Sequence, residues 1–296
     1  MRKDVYEIIT ERIIAQLESG VVPWHKPWSG GEQHTPRNLI SNKAYRGINI
    51  FLLGCQGYES PYWLSFKQCR KAGGHVVKGQ KASIAVFWKW LDVDKKDPET
   101  EEIVKDRIPM LRYYNVWNTE QCADLDHKRI KEMQESTESE EHEFDPIDSC
   151  EALISAMPTP PSIQHIENRA YYRPSADRVN MPKREKFAKV PEYYSTLFHE
   201  LCHSTGHESR LGRQGITETH FFGDREYSQE ELVAEMGAAF LCGVVGIENE
   251  TIDNSAAYIN GWLTKLRDRK NRKMLVMAGS QAQKAADYIR NIKFEN

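Results

Sequence analysis

Three features of the 296-residue sequence predict an α+β fold in two domains. The first 125 residues open on a helix-period apolar stripe and continue as short alternating runs of strand character. Residues 126–148 are acidic and show no apolar period, which reads as a linker. Residues 149–296 carry two longer helical patterns, near 190–207 and 227–241. The expected division is therefore 1–125, 126–148 and 149–296, with helices followed by a small antiparallel sheet in the first domain.

Val5, Ile9, Ile13 and Leu17 recur every four residues, so residues 4–19 read as an amphipathic helix ended by Gly20. The prolines of Pro23-Trp24-His25-Lys26-Pro27-Trp28 then hold the chain extended. An apolar run at Ile50–Leu53 follows, and Ser65 can cap a short helix that runs through Ala72 to Gly73-Gly74. His75–Leu91 and Ile108–Trp117 read as strands, with the acidic stretch Asp92–Asp106 as a long hairpin loop between them. In the second domain, Cys150–Met157 suggests a short helix, and Ile163–Tyr172 and Arg178–Met181 have strand character. The helix from Val190 presents Val190, Leu197, Phe198 and Leu201 to the core.

Composition narrows the class. Apolar residues make up 40% of the chain, enough for packed cores. No run approaches the ~20 apolar residues of a membrane span, and the N-terminus leads into a helix pattern instead of a signal peptide, which predicts a cytoplasmic protein without membrane partners. Six scattered cysteines with no C-x-x-C pair argue against a cysteine zinc site or a disulfide framework. The net charge of −3 conceals an asymmetry: residues 1–90 hold 13 Lys and Arg against 6 Asp and Glu, and residues 91–160 hold 8 against 19.

His199-Glu200-Leu201-Cys202-His203 is an H-E-x-x-H sequence on a predicted helix. Positions i and i+4 share one helix face, so both imidazoles can close on one ion, with Glu200 beside it. This is the zincin arrangement, in which two histidines hold Zn²⁺ and the glutamate acts as general base for the water that attacks a peptide carbonyl. A further divalent choice such as Mn²⁺ suits the same donors. Gly206 fits the metzincin extension, but Ser209 stands where its third histidine would be, and His207 reads as a supporting or capping residue. The other solution is a glutamate from a second helix. Tyr227–Leu241 supplies Glu231 as ligand, with Glu230 as its rival, and Glu235 one turn on to accept an imidazole N–H. Ser228 can cap that helix, and Ala234, Gly237 and Ala238 suit close packing against the first. His220, Tyr171, Tyr172 and Tyr227 are candidate oxyanion donors. A metal-dependent nuclease is disfavoured, because two imidazoles and one carboxylate suit Zn²⁺ better than the hard cations nucleases use.

In the basic first domain, cations interleave with aromatics: Trp24, Lys26, Trp28, Lys43, Tyr45, Arg46, Trp63, Lys67, Lys78 and Lys81. Single-stranded nucleic acid is bound by this combination, rings stacking on bases and cations following the phosphates.

With these residues in place the chain resembles the ArdC-type antirestriction proteins of plasmids. Pro23-Trp24 and Pro27-Trp28, Asn42 through Asn49 and Trp63 through Gln68 carry the likeness in the first half. Thr196 through His207, Arg210-Leu211, Glu230 through Glu235 and Ala256 through Leu263 carry it in the second. The resemblance implies an N-terminal single-stranded DNA-binding domain and a C-terminal zincin-like metallopeptidase domain. It also implies protection of DNA entering by conjugation from host restriction. A host restriction protein or another protein is a candidate substrate for the metal site. On this basis the metal falls to His199, His203 and Glu231 and the general base to Glu200. The acidic insertion around 126–145 departs from the family pattern.

Overall fold

The computed structural model describes residues 4–25, 32–96, 103–136, 146–217, 225–247, 249 and 256–293. Helix α1 (Val5–Glu18) is closed at its start by an Asp4–Glu7 capping box and buries Ile9, Ile13 and Leu17. Strand β1 (Arg37–Asn38), helix α2 (Ile48–Gly54), strand β2 (Tyr62–Leu64) and helix α3 (Phe66–Lys71) follow. Ser65 caps α3 through a capping box with Gln68, as its sequence suggests. After β3 (His75–Val76) come the two long strands β4 (Ser83–Lys96) and β5 (Ile103–Asn118), then β6 (Cys122–Ala123). The sheet order is β1-β2-β5-β4, antiparallel apart from the parallel β1–β2 pair, while β3 and β6 pair separately.

Two expectations change here. The stretch Asp92–Asp106 is not a long loop: β4 and β5 stay paired out to Lys96 opposite Ile103. The supposed linker also has structure, since it contains helix α4 (Lys128–Ser136) and the start of α5 (Pro146–Ser155). Arg129 donates to the carbonyl oxygens of Leu39 and Ile40 at 2.7 and 3.1 Å, and Ile130 packs on Leu39, Leu64 and Cys69, so α4 docks on the first half. Residues 137–145 lie outside the described part.

The second half begins with α5 and a three-stranded sheet of β7 (Ser162–Gln164), β8 (Tyr171–Arg173) and β9 (Arg178–Asn180), ordered β7-β9-β8. Strand β8 is an edge, antiparallel to β9. Then come α6 (Val190–Ser204), α7 (Gln214–Thr217), α8 (Arg225–Val245), α9 (Ala256–Arg267) and α10 (Met274–Ile289). Val190 is exposed at the start of α6 and adds nothing to the core; Tyr193 and Tyr194 are buried there instead. Ser228 lies inside α8 and is buried, so it does not cap it.

One apolar core runs through both halves. The Phe51 ring of α2 stacks on Phe240 of α8 at 5.0 Å. Trp24 meets Phe51 and Trp262 edge-on at 6.5 and 5.7 Å. Backbones touch at Gly279, where a Cβ would come within 2.9 Å of the Ile48 nitrogen. Gly237 has the same role for the site: a Cβ there would lie 2.5 Å from the Cys202 sulfur, so α8 approaches α6 as closely as it does because residue 237 has no side chain.

Candidate metal centre

Helix α6 places His199 and His203 on one face, with Nε2 atoms 3.1 Å apart and rings at 80°. Helix α8 brings Glu231 against them, at 3.7 Å from His199 Nε2 and 3.6 Å from His203 Nε2. These three form a cluster of potential metal ligands among the described residues. A tetrahedral ion with bonds of about 2.0–2.2 Å sets its donors about 3.4 Å apart; Glu231 Oε2 faces His199 and Oε1 faces His203 at close to that spacing, so the three side chains are placed to converge on one ion.

Glu200 is buried beside the cluster. Burial raises its carboxyl above the usual carboxylate range; His203 and a hydrogen bond from the Tyr172 main chain pull it down, and Glu231 pushes it up. That bond ties Glu200 to edge strand β8. The strand is in turn fixed to the end of α6 by Arg210, which donates to Ser204 O at 2.7 Å, Asp177 Oδ2 at 3.0 Å and the Tyr172 hydroxyl at 3.2 Å. Helix and edge strand are therefore cross-linked by side-chain hydrogen bonds.

The support around the ligands differs from the expected one. Glu230, the rival ligand, instead faces the back of His203: Nδ1 and Oε1 are 3.4 Å apart. An Nδ1–H donated to Glu230 leaves Nε2 free for the ion. Glu230 is held by Arg213, which donates from Nε at 2.9 Å and from Nη2 at 2.6 Å, while also bonding Thr205 Oγ1 and Cys202 O at 2.7 Å each. Burial alone would raise the Glu230 carboxyl; the Arg213 and His203 bonds outweigh it and hold it below the usual range. No spacing rule pointed to Arg213, which enters from the loop before α7.

Glu235, expected to take an imidazole N–H, faces the other way. Its Oε2 accepts from the Tyr258 hydroxyl at 2.6 Å, and that hydroxyl accepts from Trp24 Nε1 at 3.0 Å. Burial pushes the Glu235 carboxyl up to about 7. His207 lies past the helix end with Nδ1 2.8 Å from Ser209 Oγ, a capping contact and not a support for the ligands. The Tyr171 hydroxyl is engaged by Glu167 at 2.9 Å and that of Tyr172 by Asp177 at 2.9 Å, so neither is a free oxyanion donor. His220 and the Tyr227 side chain lie outside the described residues.

The two histidines differ in their protein surroundings. Burial, with His203 beside it, pushes His199 well below the usual imidazole value. Burial would lower His203 too, but the Glu230 bond and the charges of Glu231 and Glu200 raise it. His203 thus keeps a proton that an ion must displace, and metal affinity is expected to rise with pH through neutrality, with proton release on binding. Calorimetry in buffers of different ionisation enthalpy reads that release, and a pH-independent affinity would contradict it. Glu230→Gln is expected to weaken metal binding about 10–100-fold while His199, His203 and Glu231 remain in place; a chelator competition titration measures it, and unchanged affinity would remove Glu230 from the site.

The predicted DNA-contacting set divides. Trp24, Trp63 and Tyr45 are buried, because their rings fill the core and cannot face a strand. Arg46 pairs with Asp287, next to the Gly47 N–H that donates to Gln283 at 3.0 Å, so this motif joins the two halves. Lys43, Lys67, Lys78 and Lys81 are exposed, and Lys26 and Trp28 lie outside the described residues.

Comparison with known proteins accords with this geometry. The model of the N-terminal domain of anti-restriction factor ArdC matches residues 3–117, and that of a zincin-like metallopeptidase matches residues 148–281. The crystal structure of the antirestriction protein ArdC from plasmid R388, metal-free, superposes with a TM-score of 0.72 at 35% identity, covering 98% of both chains. The chain belongs to the ArdC family. The Mn(II)-bound structure of the same R388 protein matches at TM-score 0.73 and 33% identity. Among ArdC relatives, protein y4eC of Sinorhizobium fredii (strain NBRC 101917 / NGR234) is 33% identical over 97% of this chain and 91% of its own length. DNA primase TraC of Escherichia coli is 32% identical over 97% of this chain, which spans only 20% of TraC. No described helix of this ArdC-family chain is long and apolar enough to cross a membrane.

Proposed function

We propose that this chain protects single-stranded DNA entering by conjugation from host restriction, acting in the cytoplasm through a strand-binding N-terminal half and a metal-dependent peptidase site in the C-terminal half. The observation that carries the peptidase reading is the convergence of His199, His203 and Glu231 with a buried Glu200 held to an edge strand. A bound divalent ion would polarise the scissile carbonyl, and two imidazoles with one carboxylate favour Zn²⁺, with Mn²⁺ as the alternative. Glu200 takes the proton of the attacking water, its basicity brought toward neutrality by burial. Strand β8 offers an edge to which an extended substrate segment can add, next to that base. Glu230 and Arg213 hold the His203 ring in the ligating tautomer. The strand-binding reading rests on the excess of cations in residues 1–90 and on the family.

The test is conjugal transfer of a plasmid into a restricting recipient that expresses either the wild type or Glu200→Gln. Loss of protection in the variant supports the peptidase. Full protection overturns it in favour of a second reading, a DNA-coating protein whose metal-site half is structural, for which the single core shared by both halves speaks.

A further inference from the structure

Beyond the core, β4 and β5 continue as a two-stranded arm. Their register sets Val86 opposite Tyr113, Trp88 opposite Leu111 and Trp90 opposite Pro109. Directly paired residues share a face and successive residues alternate, so these three rungs follow one another on one face. That face presents Tyr113, Trp88 and Trp90 at 39%, 40% and 55% exposure, while Val86 and Leu111, beside them on the same face, are buried in the core with Ile9 and Ile13 of α1. Rungs on one face repeat every two residues, about 6.8 Å. A ring inserted between neighbouring bases needs the same opening, twice the ~3.4 Å rise per nucleotide of a strand.

Cations flank the ladder: Lys105 and Arg107 share its face with Asp92 and Asp94, and Lys89 and Arg112 stand on the other face of the same strands. Arg107 lies over the Trp90 ring at 5.8 Å from its centroid, with its Nε 3.4 Å from Asp92 Oδ1, so a partly neutralised cation stands at the edge of the stacking surface. On the opposite face, Phe87 and Tyr114 are also partly exposed and meet each other edge-on at 5.8 Å, a separate pair outside the three-rung row.

We propose that Tyr113, Trp88 and Trp90 form a stacking ladder along which single-stranded DNA binds the arm. This rests on the strand-binding reading above and assigns it to rings outside the buried set. Sequence alone ranks Trp88 and Trp90 no higher than Trp24 or Trp63, because period two shows shared face and not exposure.

The experiment is fluorescence anisotropy of a labelled oligo(dT) with the full chain, at several salt concentrations. Trp88→Ala/Trp90→Ala is expected to bind at least about tenfold more weakly, since each stacked base contributes on this order. Its salt slope should equal that of the wild type, because rings and not charges are removed. Trp90→Ala alone should shift affinity in the same direction, and Phe87→Ala should bind as the wild type does. Wild-type affinity in the double variant overturns the ladder and leaves strand binding standing. So does a loss confined to Phe87→Ala, or a change in oligomeric state alone, which would give the face to a second copy of this chain. A wild type that fails to bind oligo(dT) removes the strand-binding reading itself, and the ladder with it.

Discussion

Glu200→Gln is expected to bind one divalent ion as the wild type does and to hydrolyse casein about 10³-fold or more slowly. The amide has the shape of the carboxylate, and its oxygen can still accept from the Tyr172 main chain. His199, His203 and Glu231 are untouched, so the donor triangle persists. What disappears is the carboxylate proposed to accept the water proton. Metal content and casein turnover on one preparation separate these effects. Wild-type turnover would remove Glu200 as the base, and metal loss would mean that its charge holds the ion. The wild type should also show activity rising with pH, with the limb above the usual carboxylate range, because burial raises the Glu200 carboxyl and only its ionised form is a base.

Trp24→Ala is expected to cost about 3–5 kcal/mol of stability, the range for removing a buried large aromatic. The indole is fully buried, touches Phe51 and Trp262 edge-on, and donates to the Tyr258 hydroxyl. Tyr258 in turn donates to Glu235, one turn along α8 from Glu231. The cavity therefore opens where the two halves meet, and one cooperative transition at lower temperature should replace the wild-type melt. Metal affinity should fall with it. A DNA-binding defect in this variant would report lost folding and not a lost stacking partner. A variant that melts like the wild type yet no longer binds oligo(dT) would restore Trp24 to the strand surface.

How far local rules reach is visible at single residues. Helix period alone places His199 over His203 and puts Glu231 on a helix of its own, because each relation lies within one element. Capping chemistry marks Ser65 in the same way, through bonds to residues three positions away. Between Glu230, Glu231 and Glu235 the period cannot choose: they sit on one helix, and their roles depend on what packs opposite each. Arg213 arrives from a loop to claim Glu230, and Tyr258 from α9 to claim Glu235. The aromatics divide for the same reason. Trp24 and Trp63 read as surface rings beside lysines, yet the shared core takes them, whereas Trp88 and Trp90 lie on an arm that leaves the core.

The sequence by itself determined the pairing of His199 and His203 on one helix face, the place of Glu200 between them, the second carboxylate helix and the basic character of the first third. All of these are set by neighbours within a few positions or by composition. Only the tertiary structure decided which glutamate meets the two imidazole Nε2 atoms and which backs His203, and which rings face solvent. It also decided that the halves share one core, because burial and cross-element distance belong to the packing of helices and strands far apart in the chain.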